Sequence, residues 1–123
     1  MRPLKVANYN KELESNEEYK NLMTAAMQKC IDRYAEEKLL EAVRNGDAGS
    51  IPALVESAEP IIMLVIRQLG VSQDIQELFD EGRKALTDLA QHEINATGRE
   101  KFFRFGAWHV RQAILKYLEQ KKL

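Results

Sequence analysis

Phe102, Phe103, Phe105 and Trp108 lie close together near the end of this chain, and cations crowd around them. From Arg99 to Leu123 the cations are Arg99, Lys101, Arg104, Arg111, Lys116, Lys121 and Lys122, against the acids Glu100 and Glu119. The chain carries a net charge of −1, so this segment's +5 leaves −6 on residues 1–98. Rings offer faces on which unpaired bases stack, worth about 1–3 kcal/mol per base, while lysines and arginines hold phosphates. A basic, aromatic tail on an acidic body therefore points to a single-stranded or opened nucleic acid. Any one of these rings is equally able to serve as core.

Catalytic chemistry has little to work with. His92 and His109 are not spaced with carboxylates or the cysteine as metal ligands are, so no metal or cofactor is expected. No glycine-rich phosphate loop or nucleophile elbow is present, and no catalytic residue is assigned. Acids recur along one stretch, where Asp74, Glu77 and Glu81 share a helical strip. Such a strip is either a solvated face or a docking surface for a basic partner, with charge steering encounter and register.

The elements that must position these groups read as helices. At 123 residues, with 45% apolar and 30% charged residues, the chain is expected to be one domain, or one domain with an N-terminal appendage. The longest apolar run, 61–66, is too short to span a bilayer, and the first residues lack a secretion-type apolar stretch. One cysteine builds no disulfide framework, so a cytoplasmic location without membrane contact is expected, with Cys30 a buried thiol.

Sustained β-branched alternation is absent. Residues 1–14 are polar, and Ser15 with Glu18 reads as a capping box. Tyr19, Leu22, Met23, Ala26, Met27, Cys30, Ile31 and Tyr34 follow at three- and four-residue spacing. The phase shifts at Glu36-Glu37, which predicts a bent helix or a break near Ala35, and Asn45-Gly46-Asp47 supplies a stop. Ser50 is expected to cap a short helix through Ser57, with Pro52 in its first turn. Pro60 opens an apolar helix, Ile61 to Leu69, expected to be the most buried, with Gly70 ending it. Ser72 caps a longer helix to His92 with Ile75, Leu78, Phe79, Ala85, Leu86 and Leu89 inward. Thr97 and Glu100 form a second capping box before a final helix from about Gly98 to Lys121. Gly106 inside that helix signals close packing or a bend. The sum is an all-α, compact helical bundle.

Two stretches resemble region 2 of bacterial RNA polymerase sigma factors of the sigma-70 family. Trp108-His109-Val110-Arg111-Gln112-Ala113-Ile114 is similar to the family's Trp-Trp-Ile-Arg-Gln-Ala-Ile. Glu77-Leu78-Phe79-Asp80-Glu81-Gly82 is similar to Asp-Leu-Ile-Gln-Glu-Gly. Upstream, Glu37-Lys38-Leu39-Leu40 to Asn45-Gly46-Asp47, and Ile51-Pro52-Ala53-Leu54-Val55 to Pro60, look like the opening of that domain. The resemblance covers about residues 36–119. It implies a division into an N-terminal arm and helix, 1–35, and a sigma region 2-like domain, 36–123.

The resemblance further implies two working faces. Glu77, Asp80, Glu81, Arg83 and Leu86 would dock on the clamp helices of the largest subunit of RNA polymerase core. Phe102, Phe105, Trp108 and His109 would hold the melted minus-ten element on the non-template strand of promoter DNA. Arg111 and Gln112 would face the duplex upstream, and the cations Lys101, Arg104 and Lys116 would meet phosphates. The chain departs from the family pattern at Asp80 (for glutamine), Arg83 (for asparagine) and His109 (for tryptophan). Phe103-Arg104-Phe105-Gly106 replaces Ser-Thr-Tyr-Ala. No stretch resembles the family's minus-thirty-five-reading domain, so the expectation is a single-domain sigma-like protein with a separate partner, or a fragment. The main alternative is a sigma mimic that binds an anti-sigma factor, or dimerises through the Tyr19–Tyr34 stripe, without promoter melting. A weaker one is a general nucleic-acid binder using the basic tail alone.

Overall fold

The computed structural model describes the backbone of residues 15–92 and 99–121, and the side chains of 15–92 and 102–121. The polar start, the Asn95–Gly98 connection and the Thr97/Glu100 capping box lie outside the described residues. Every described element is helical: α1 (Glu17–Gln28), α2 (Arg33–Arg44), α3 (Ile51–Ser57), α4 (Glu59–Leu69), α5 (Ile75–His92) and α6 (Arg99–Lys121). They pack as one compact bundle, with a 3-10 turn, Ala48–Ser50, leading into α3.

Helix boundaries follow local polar chemistry that periodicity alone misplaces. The cap of α1 is Asn16 rather than Ser15: Oδ1 accepts from Tyr19 N at 2.9 Å, while Nδ2 donates to Ser72 O at 3.2 Å. An amide can accept and donate at once, so this cap also ties α1 to the turn before α5. The break after α1 comes at 29–32, ahead of Ala35, because the Asp32 carboxylate accepts from Ala35 N at 2.8 Å and restarts the helix. Ser50 does not cap α3; its hydroxyl donates to Asp47 Oδ2 at 2.8 Å. Nor does Ser72 open α5. That helix begins at Ile75 after Asp74, whose φ of +57° turns the chain and whose carbonyl accepts from Leu78 N. Gly46 and Gly70 end α2 and α4 at φ of +96° and +70°, where a side chain would be strained.

The core draws on every helix. Tyr19 and Ala26 of α1, Leu40 of α2, Leu54 of α3, Ile62 and Ile66 of α4, Leu78 and Leu89 of α5, and Val110 and Ile114 of α6 are all buried in it. The N-terminal helix is thus continuous with the rest. The Tyr19 hydroxyl donates to Met63 O at 3.2 Å, in the interior. Three expectations are corrected. The helix α4 is not buried all round, since Leu64 is exposed along with Arg67 and Gln68. Cys30 is exposed, because the chain leaves the helix at that residue. Met27, Ile31 and Tyr34 are exposed too, so the buried part of the stripe ends at Ala26, inside α1.

Two glycines set the spacing of the bundle. A Cβ on Gly82 of α5 would lie 2.6 Å from Ile62 Cγ2 of α4, and one on Gly106 of α6 would lie 2.9 Å from Leu86 Cδ2 of α5. Ile62 is fully buried and branched at Cβ, so it has little room to yield. Gly82→Ala is expected to destabilise by about 1–3 kcal/mol through overpacking, more than its gain in helix propensity of roughly 1 kcal/mol. Urea denaturation checks this, and a stabilised variant would show that α4 and α5 are not so closely set.

Candidate nucleic-acid interface and docking face

The phase of α6 divides its side chains cleanly. Phe102, Gly106, Val110 and Ile114 recur every four residues and face the core, Phe103, Ala107, Tyr117 and Leu118 pack half-buried at its edge, and the remaining positions face outward. Arg104, Phe105, Trp108, Arg111, Gln112, Leu115 and Lys116 are all exposed, and His109 is half-buried. Phe102 is 0% exposed and meets Phe103 edge to face at 5.3 Å between ring centres. Its expected role in holding a base is therefore corrected: it packs the core beneath the surface that was to carry it. Lys101 lies outside the residues whose side chains are described.

What remains outside is an open cleft between side chains along one turn of α6. Arg104, Phe105, Trp108 and His109 line a cavity of about 480 Å³ on the outer face of α6. Trp108 is 58% exposed and Phe105 41%, unusual for rings of that size unless a partner covers them. The Trp108 indole meets the His109 imidazole edge to face at 5.3 Å and 87°. The indole is thereby steadied on one side and open on the other. Its open face offers a stacking surface, with the guanidinium of Arg104 at the wall for a phosphate.

Gln112 and Lys116 belong to a different groove. With Gln73, Asp74, Leu115 and Lys121 they border a cavity of about 820 Å³ between the end of α6 and the start of α5. The Lys121 ammonium donates to Asp74 Oδ2 at 2.7 Å across this groove, fastening the last turn of α6 to the turn that opens α5. That hydrogen bond raises the ammonium above its ordinary value of 10.5, partly opposed by desolvation and aided by the charges of Asp74 and Glu77. His109, Gln112 and Lys116 also line a shallow furrow with Glu81, Lys84 and Asp88 of α5. The two faces expected from the sequence thus adjoin along the α5–α6 seam.

The docking face on α5 is narrower than expected. Glu77 and Asp80 are exposed and Glu81 is half-buried, with Lys84 3.2 Å from its carboxylate. Gln76 Nε2 donates to Asp80 Oδ1 at 3.1 Å. Leu86 is corrected to core: it is fully buried against Gly106 and has no surface to offer a partner. Arg83 is drawn toward α4, its Nε 3.4 Å from Glu59 Oε2. Glu59 is the residue that sequence reasoning missed. Its side chain is 1% exposed, and Lys29 Nζ lies 2.8 Å from its other oxygen. Neither contact has the alignment of a hydrogen bond, so the buried carboxylate is balanced by two charges. The only sequence signal was an acid inside an apolar run, next to Pro60.

Among the described residues, no three His, Cys, Asp or Glu side chains converge as metal ligands, and no single helix is long and apolar enough to cross a membrane. Compared with family models, curated proteins and solved structures, the chain gives no match.

The Asp74–Lys121 contact carries its own prediction. A raised ammonium value means its contribution is full below pH about 10.5 and fades as the pH climbs through the raised value. In an NMR titration Lys121 should lose its proton at higher pH in the wild type than in Asp74→Asn. Coincident curves would dissolve the clasp.

Proposed function

We propose that this chain is a sigma-like transcription-initiation module: it docks on RNA polymerase through the acidic face of α5 and holds a melted promoter strand in the cleft on α6. The observation that carries this reading is the exposure of Trp108 and Phe105 in one cleft with Arg104 and His109. A base leaving a duplex loses stacking worth a few kcal/mol, and a ring with an open face returns much of it. Arg104 and Arg111 add sequence-independent attraction for the backbone, which salt weakens. The resemblance of Trp108–Ile114 and Glu77–Gly82 to sigma region 2 gives this chemistry its place, in the cytoplasm, on the clamp helices and the non-template strand. With Phe102 in the core, the strand contacts reduce to Phe105, Trp108 and His109, flanked by Arg104, Arg111 and, along the seam, Gln112 and Lys116.

A single-stranded oligonucleotide carrying a TATAAT-like sequence tests the reading. Wild type is expected to bind it, and Trp108→Ala to weaken binding by about 1–3 kcal/mol without loss of helicity. Equal binding by the two proteins removes the stacking role. Salt-sensitive binding indifferent to base sequence leaves only a general nucleic-acid binder. Recovery of a small regulatory protein in place of polymerase, with no oligonucleotide bound, would favour the sigma mimic, through an anti-sigma factor.

A further inference from the structure

The docking reading leaves one charge out of place. Arg83 lies in the middle of an acidic face, at the wall of a groove of about 410 Å³ that Asp80, Lys84, Thr87, Asp88 and Gln91 complete. A free guanidinium there would oppose any basic surface approaching Glu77, Asp80 and Glu81. One edge of the side chain is instead anchored inward: Arg83 Nε is sealed from solvent and sits 3.4 Å from the carboxylate of Glu59, while the side chain as a whole stays 42% exposed. A buried carboxylate is costly unless compensated, and a charge pair seen through little water is stronger than one on the surface. Glu59 is therefore compensated by two partly exposed cations. Lys29 arrives from the end of α1 at 2.8 Å, and Arg83 from α5.

We propose that Glu59 is a positioning residue that acts through Arg83: it holds the Nε edge of the guanidinium against α4, offsets its charge beside Glu77, Asp80 and Glu81, and so favours a partner surface that is basic. The inference rests on the docking role given to that face. The neighbours argue against the opposite use of Arg83 as an anchor for an anion. Asp80 and Asp88 line the same groove and would repel a carboxylate or phosphate brought to it, and its other cation, Lys84, is paired with Glu81. Lys29 ties the effect to the N-terminal helix, since it shares the same carboxylate and its loss would leave Glu59 to Arg83 alone.

The test measures binding of two probes to the full chain: RNA polymerase core, and a lysine-rich helical peptide that reports only the charge of the face. Glu59→Gln should weaken the peptide about fivefold at low salt, the scale of one exposed charge, and Glu59→Gln/Arg83→Gln should restore it. Arg83→Gln alone should bind at least as tightly as wild type. Peptide binding unchanged by Glu59→Gln overturns the proposal, as does a loss that Arg83→Gln fails to rescue, because a purely structural role cannot be rescued at Arg83. If Glu59→Gln does not fold by circular dichroism, Lys29→Gln takes its place and should bind the peptide no more weakly than wild type; weaker binding overturns the proposal. A wild type that binds the peptide in this pattern but not polymerase core refutes the docking reading while leaving the charge role of Glu59 standing.

Discussion

A helix with apolar residues on several sides can turn more than one face to its neighbours, and α6 is such a helix. Its face is decided by how closely it approaches α5. Gly106 lets the backbone of α6 come within reach of Leu86, and that approach is possible only with Phe102, Val110 and Ile114 turned inward. Once those are buried, the 3.6-residue repeat leaves Arg104, Phe105, Trp108 and Arg111 no choice but the outside. The cleft is thus a consequence of core packing. The same close setting operates one layer deeper, where Gly82 admits Ile62 and brings α4 against α5. That approach also brings Arg83 within 3.4 Å of Glu59.

Burial on this scale explains which parts of the architecture were readable from the residues alone. The inward stripe of α5 was legible because Ile75, Leu78, Phe79, Leu86 and Leu89 keep one helical phase across Gly82, and a helix has only one way to bury them. Gly106 was legible as a contact, since a glycine costs too much inside a helix to be there without one. The roles of Leu86 and Phe102 went astray for a common reason. Each was assigned from a resemblance in sequence, which carries position along the chain but not rotation about the helix axis. For Leu86 the residue's own periodicity had already placed it inward. The break was placed near Ala35 because the apolar phase shifts later than the Asp32 cap, and the start of α1 was placed at Ser15 because two capping side chains, Ser15 and Asn16, stand side by side. Which one wins depends on a distant partner, such as Ser72 O for Asn16.

Glu59 shows the limit of local reading most clearly. Nothing adjacent to it in sequence offers a positive charge; its partners stand thirty and twenty-four positions away, at Lys29 and Arg83. Periodicity describes which face of a helix is apolar, and an acid on the boundary reads as the edge of that face. Only the packing of three helices at one point makes it a shared counter-charge. The arrangement also accounts for why α1 is continuous with the bundle. Its ties are a buried hydroxyl at Tyr19, an amide at Asn16 and an ammonium at Lys29, one at each end and one facing the interior.

Charge is separated in space as it is along the chain, but the two signs meet at a seam. Glu81 and Asp88 on α5 face His109 and Lys116 on α6 across one furrow, and Asp74 closes on Lys121 at its end. A partner bound along α5 and a strand bound along α6 would therefore come within a few side chains of each other. Rigidity matters at such a place. Aromatic side chains have only two rotatable bonds, so ordering Trp108 and Phe105 on binding costs little entropy. The backbone beneath them is held by Phe102 in the core at one end and by the Asp74–Lys121 contact at the other. If a base binds as proposed, the stacking it gains would not be spent on ordering the helix that provides it.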